Sequence, residues 1–265
     1  MYRIICPTDF SEVSKNALLY AISLLNDLGG HLHIAHFYDV PHASGHDKMM
    51  DDMIEQGAEE EMEVLVKVSS QWLASRTTMD YVIRRGDCAE QLNLMAHKDK
   101  FNLIVMGSQG PKNKMKLIFG STAKAVINQV DVPTIIIPPD ISYRPIHKIV
   151  VATDEVISES GLELITDFGR SMLDHLYILH IGEINIGKEE INYYGNFLTS
   201  FSYSFHNIEG DDVLNGINVF TEEVGADLLV MTKRKRKFFQ KIFGISHTDL
   251  ELFQAQLPFM IIHDK

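Results

Sequence analysis

Residues 107–122 read GSQGPKNKMKLIFGST. Gly107 and Gly110 stand three apart, nine residues follow, and Gly120 runs directly into Ser121 and Thr122. That pattern suits anion binding. A helix start offers backbone N–H groups with no partner inside the helix and a partial positive charge. Glycine lets such a backbone come close to a phosphate and tolerates positive φ at a tight turn. On this reading Gly107 and Gly110 turn the chain sharply off the apolar run FNLIVM, Gly120 opens the next helix, and Ser121 and Thr122 add hydroxyl donors. The spacing is neither the GxxxxGK[ST] of a P-loop nor the GxGxxG of a dinucleotide fold. From spacing alone, a connecting loop with glycines at a strand end and a helix cap accounts for it equally well. Lys112, Lys114 and Lys116 either reach phosphates or, as loop lysines more often do, form a solvated face.

Other chemistry-bearing residues form weaker patterns. Asp9, directly after the first apolar run, is a natural helix cap. His31, His33, His36, His42 and His46 suggest a metal by number, but His31 and His33 alternate along a strand and no Cys or HExxH pattern accompanies them. No metal site is assigned. Met49, Met50 and Met53 read as core or interface filling. Cys6 and Cys88 have no CxxC partner, fit a reducing compartment, and read as packed thiols. No Ser–His–Asp, Cys–His or paired-carboxylate arrangement is visible, so the chain is expected not to be an enzyme.

The elements that position these residues occur twice. RIICPTDFSEVSKNAL from Arg3 lines up with KIVVATDEVISESGLEL from Lys148, each with a Thr-Asp pair (Thr8-Asp9, Thr153-Asp154). LHIAHFYDV from Leu32 matches LYILHIGEI from Leu176, sharing His36 and His180. GDCAEQLNLMA, NLIVMGSQG and VPTIIIP recur in order as GDDVLNGINVF, DLLVMTKRK and LPFMIIH. Five matches in one order imply two homologous domains, 1–141 and 145–265, joined near the proline-bearing PPDISYRPIH. Short apolar strands alternate with amphipathic helices, such as the stripe Ala17, Leu18, Ala21, Leu24, Leu25, Leu28 that ends at Gly29-Gly30. Each half is therefore an α/β domain with a doubly wound parallel sheet, whose ligands bind at the carboxyl ends of strands. From His36 to Gly86 is 50 residues, but from His180 to Gly210 only 30, so the second half should have a shortened or irregular crossover.

PTDFSE after the first strand, the histidine near the end of the second, and G-x2-G-x9-G-S before the last helix of the first half resemble the universal stress protein family. The resemblance covers nearly the whole chain as a tandem pair. It implies two five-stranded sheets of the adenine nucleotide α-hydrolase-like kind, paired within the chain as a pseudo-dimer through VPTIIIP and LPFMIIH. It also implies that ATP, with or without Mg2+, is the ligand. By position, Pro7, Thr8 and Asp9 would meet base and ribose, and Phe37 and Met106 would line the adenine pocket. Gly107, Gln109, Gly110, Gly120, Ser121 and Thr122 would hold ribose and phosphates. Phe37 stands where the family pattern has a small aliphatic residue, which bears on the room left for adenine.

In the second half Thr232 and Lys235 stand at the places of Gly107 and Gly110, and Ile245 at that of Gly120. Side chains there would block close backbone approach, so this half is not expected to bind ATP as the first does. Its KRKRKFFQKIF run reads as a solvated loop entering a helix, or as a grip for a polyanion. Across 265 residues, 45% apolar and 23% charged composition is that of a folded protein, and a net charge of −12 argues against nucleic acid as the main partner. The apolar runs are too short for a membrane span and no leader precedes the first strand, so a cytoplasmic protein is expected. Two readings compete. One is an ATP-binding stress-response regulator in which any hydrolysis is slow and incidental; the other is a nucleotide-free interaction module with an unidentified protein partner. Further association into a homodimer is left open.

Overall fold

The computed structural model describes residues 1–38, 48–109, 120–170, 172–182, 187–208, 212–233 and 257–264, the side chains of 48 and 49 aside. The chain divides into two units between Tyr143 and Arg144. Tyr143 stays with the first unit because its hydroxyl donates to Asp27 Oδ2 at 2.5 Å and its ring meets Tyr20 edge-on.

In the first unit the order is β1 (Tyr2–Thr8), α1 (Glu12–Leu28), β2 (Gly30–Tyr38), α2 (Lys48–Ser69), β3 (Thr77–Arg85), α3 (Cys88–Asp99), β4 (Leu103–Gly107), α4 (Ser121–Gln129) and β5 (Thr134–Ile137). The strands are parallel and lie in the order β3-β2-β1-β4-β5, so the winding reverses between β1 and β4. Ile4, Ile5, Ile104, Val105, Ile135 and Ile136 are wholly buried, as strands covered on both faces require. The α1 stripe packs onto them, with Ala17, Ala21, Leu24 and Leu25 at zero exposure. Gly29, at φ 75°, ends α1, and the next residue admits no side chain: a Cβ on Gly30 would meet the Tyr2 carbonyl oxygen at 2.1 Å. The reading of Met49, Met50 and Met53 as core is not met at the two whose side chains are described. Met50 and Met53 are exposed, and Met62, which was not singled out, is buried.

The second unit repeats the plan with β6 (Lys148–Thr153), α5 (Glu159–Gly169), β7 (His175–Ile181), α6 (Lys188–Phe197), β8 (Ser202–Ile208), α7 (Val213–Val224), β9 (Leu228–Thr232) and β10 (Phe259–Ile262). Its parallel order is β10-β9-β6-β7-β8, the same winding. α6 has 10 residues where α2 has 22. Among the described residues no helix is long and apolar enough to cross a membrane.

Candidate functional site

The turn after β1 is built from side chains that hold one another. Thr8 Oγ1 accepts the Phe10 N–H at 3.0 Å and lies 3.0 Å from Ser14 Oγ in a buried pair. Ser11 caps α1 by accepting the Ser14 N–H, and Asp9 Oδ1 in turn accepts both the Ser11 N–H and its hydroxyl. Asp9 therefore supports the cap rather than being it. Phe10 adopts φ 62°, which sets its ring 4.5 Å from that of His36, and His36 Nδ1–H donates to the Thr8 carbonyl at 2.8 Å. The histidine shared by the two repeats thus pins the carboxyl end of β1.

Beside this turn, at the winding reversal, lies a cleft of about 290 Å³. That is close to the lower end of small-ligand pockets, about 300 Å³. Ten of the eleven residues nominated from the sequence line it: Pro7, Thr8, Asp9, Phe37, Met106, Gly107, Gln109, Gly120, Ser121 and Thr122. Gly110 and the three loop lysines lie outside the described residues. Pro7 and Met106 are buried, and Phe37 forms part of the wall.

The opposite end is polar. Gly120 is the N-cap of α4 at φ −57°, with no side chain to satisfy the first turn. The amides of Ser121, Thr122 and Ala123 therefore have no acceptor within the helix and border the cleft. Gly120 N–H donates to the Ser108 carbonyl at 2.8 Å, and Ser108 N–H to the Ile137 carbonyl at 3.0 Å, which joins the floor to β5. Ser108 Oγ is wholly buried in the lining and has no hydrogen-bond partner among the described residues. A buried hydroxyl without a partner costs stability unless a ligand or water meets it.

Two expectations about the glycines change. Gly107 does not turn the chain: β4 pairs with β5 through Gly107↔Ile137, and neither Gly107 nor Gly120 uses positive φ. What excludes a side chain at Gly107 is α1, since a Cβ would stand 2.8 Å from Val13 Cγ1 and 3.2 Å from the Val13 carbonyl oxygen. Ser14, Cys88, Ser108 and Ala123 complete the lining and were not nominated. Ser14 had a sequence signal, a serine on the stripe that continues through Ala17, Leu18 and Ala21. Burial, with the Asp87 and Asp9 carboxylates adding to it, pushes the Cys88 thiol up to about 12.

At the equivalent place of the second unit, the described side chains bond to one another. Thr232, in the position of Gly107, is buried and donates to Thr153 Oγ1 at 3.0 Å, and Thr153 donates to the Glu155 carbonyl at 2.7 Å. The Ile157 N–H donates to Tyr194 Oη at 2.9 Å, and Tyr193 donates to the Ile157 carbonyl at 3.0 Å, so α6 clamps the turn after β6. Asp264, beyond β10, takes the Ser158 N–H and hydroxyl, the role that Asp9 plays for Ser11. Lys235, Ile245 and most of the KRKRK run lie outside the described residues.

The sequence pattern of the universal stress protein family matches residues 1–138. The chain belongs to that family. A universal stress protein of Methanocaldococcus jannaschii is 25% identical over 140 residues, covering 51% of this chain and 81% of its own. The stress response protein NhaX of Bacillus subtilis is 27% identical over 160 residues, covering 51% of this chain and 96% of its own. Over the full length, a universal stress protein structure from Archaeoglobus fulgidus superposes with a TM-score of 0.72 at 19% identity, covering 99% of this chain and 96% of that one. The two halves are thus a tandem of universal stress protein folds.

Proposed function

We propose that the first unit of this universal stress protein binds an adenine nucleotide, ATP foremost, as a regulatory ligand, and that the second unit does not. The observation that carries this is the pairing of an apolar wall with an uncapped helix start in one cleft. Pro7, Phe37 and Met106 offer a slot for a base, while the free amides of α4 and the unpartnered Ser108 hydroxyl offer donors for phosphate oxygens. Family membership supports the same ligand. Binding rather than turnover is the role: among the described lining residues the ionisable side chains are Asp9 and Cys88, and a thiol pushed up to about 12 is not an activated nucleophile.

The test is calorimetry of ATP with magnesium on the full chain and on Thr122→Asp. Thr122 is exposed in the first turn of α4, where a carboxylate favours the helix dipole but repels a phosphate. The variant should fold with equal or greater thermal stability and bind ATP at least about tenfold more weakly, a difference of about 1.4 kcal/mol. Equal affinity in both proteins would place the phosphates elsewhere. No uptake by the wild type would leave an interaction module with a vestigial cleft.

A further inference from the structure

β3 is the outermost strand of the first unit and pairs only with β2. His31 and His33 stand two apart on β2, so both side chains leave the same face. The register sets Thr78 opposite His31 and Asp80 opposite His33. His31 Nε2 lies 3.0 Å from Asp80 Oδ1, and His33 Nδ1 contacts that same oxygen. One ligand atom from each of the three residues falls within 4.8 Å of the others. The even spacing that argued against a metal in the sequence is what aligns the two imidazoles.

We propose that His31, His33 and Asp80 bind a divalent transition metal of the zinc class. Two imidazole nitrogens and one carboxylate oxygen suit zinc, whereas magnesium and calcium favour all-oxygen shells. Asp80 is 57% exposed and the histidines 23% and 15%, so an ion can enter from solvent and keep a water as its fourth ligand. His31 Nδ1 lies 2.8 Å from Thr78 Oγ1. With Nε2 on the metal, Nδ1–H donates to that hydroxyl, which fixes the ring as outer partners of metal-bound histidines do. Arg3, opposite His31 in the β1 register, lays its guanidinium over Phe101 at 5.3 Å and makes no described ion pair with Asp80.

The second unit is an internal control. At the places of His31, His33, Thr78 and Asp80 stand His175, Tyr177, Ser202 and Ser204. Hydroxyls alone satisfy the histidines there: Ser202 Oγ lies 2.8 Å from His175 Nδ1, His175 Nε2 lies 3.0 Å from Ser204 Oγ, and Ser204 Oγ lies 2.8 Å from His206 Nε2. The two imidazoles of this sheet position, His175 and His206, are satisfied without a carboxylate. The first unit adds a carboxylate, Asp80, that meets both of its imidazoles.

His31 is six residues before Phe37 on the same strand, about 20 Å at the usual rise, so this site and the nucleotide cleft are tested separately. Untagged full-length protein, stripped with chelator, is titrated with Co2+ by visible absorption and with Zn2+ by calorimetry. One ion per chain is expected, with Asp80→Asn and His33→Gln each weakening binding at least tenfold while a His42→Gln/His46→Gln variant keeps it. Imidazole 15N shifts of the wild type, read without any substitution, should move at His31 Nε2 and His33 Nδ1 on adding Zn2+. Absence of Zn2+ uptake, or uptake that survives Asp80→Asn and leaves those two nitrogens unmoved, overturns the proposal.

Discussion

His36 and His180 occupy the same place in the two repeats and are held differently. His36 is partly exposed and donates to the Thr8 carbonyl, whereas His180 is 3% exposed with no hydrogen-bond partner for its Nε2 among the described residues. Burial holds the His180 imidazole below its ordinary value, and burial, with His206 and Lys148 adding to it, does the same to His175. A folded-state value below the unfolded one means that unfolding takes up protons as the medium acidifies. Their contribution is therefore complete above the ordinary imidazole value of about 6.5 and is lost as pH falls through the lowered folded values. Urea denaturation between pH 7.5 and 5 should show stability of the second unit declining with pH, with a shallower decline in His180→Leu. An unchanged slope in that variant would remove His180 from the account. None of this was legible in the sequence, where the two histidines align and nothing distinguishes a pinned ring from a buried one.

At the scale of elements, Gly107 is where a strand and a helix touch. Gly107→Ala forces its methyl against Val13, and overpacking of this kind costs about 1–3 kcal/mol. Adding Val13→Ala should recover most of that loss in thermal denaturation. ATP affinity of the double variant then separates two roles: recovery with folding assigns the glycine to packing, and persistent loss assigns it to ligand approach. The contact also shows what a sequence conceals. Spacing records that a side chain is excluded at Gly107, but not that the excluding neighbour is Val13, ninety-four positions earlier. The strands, the helix stripe on α1 and its glycine stop were readable because each is set by neighbours in sequence. The His31–His33–Asp80 cluster was not, because it depends on strand register, and neither was Asp264 at Ser158, which lies 106 residues away.

The whole molecule is one plan executed twice: among the described residues the first unit has a cleft at its winding reversal, and at the equivalent place of the second Thr232 and Thr153 bond to each other. Calorimetry should give one nucleotide per chain, and hydrogen exchange on adding ATP should slow in the turn after β1 and the start of α4 while the turn after β6 is unaffected. Protection of residues 154–158 would contradict the proposal that the second unit takes no nucleotide. The helix starts around the cleft and at its counterpart in the second unit carry a further meaning. α1 and α5 each begin at a serine backed by a carboxylate, Asp9 or Asp264, and are finished by the chain itself. α4 begins at a bare glycine. An unfinished start frays more readily than a capped one, and an anion seated there takes the place of the missing residue. If the proposed nucleotide is that anion, its concentration and the order of that first turn become a single variable, which a partner recognising the ordered turn would read.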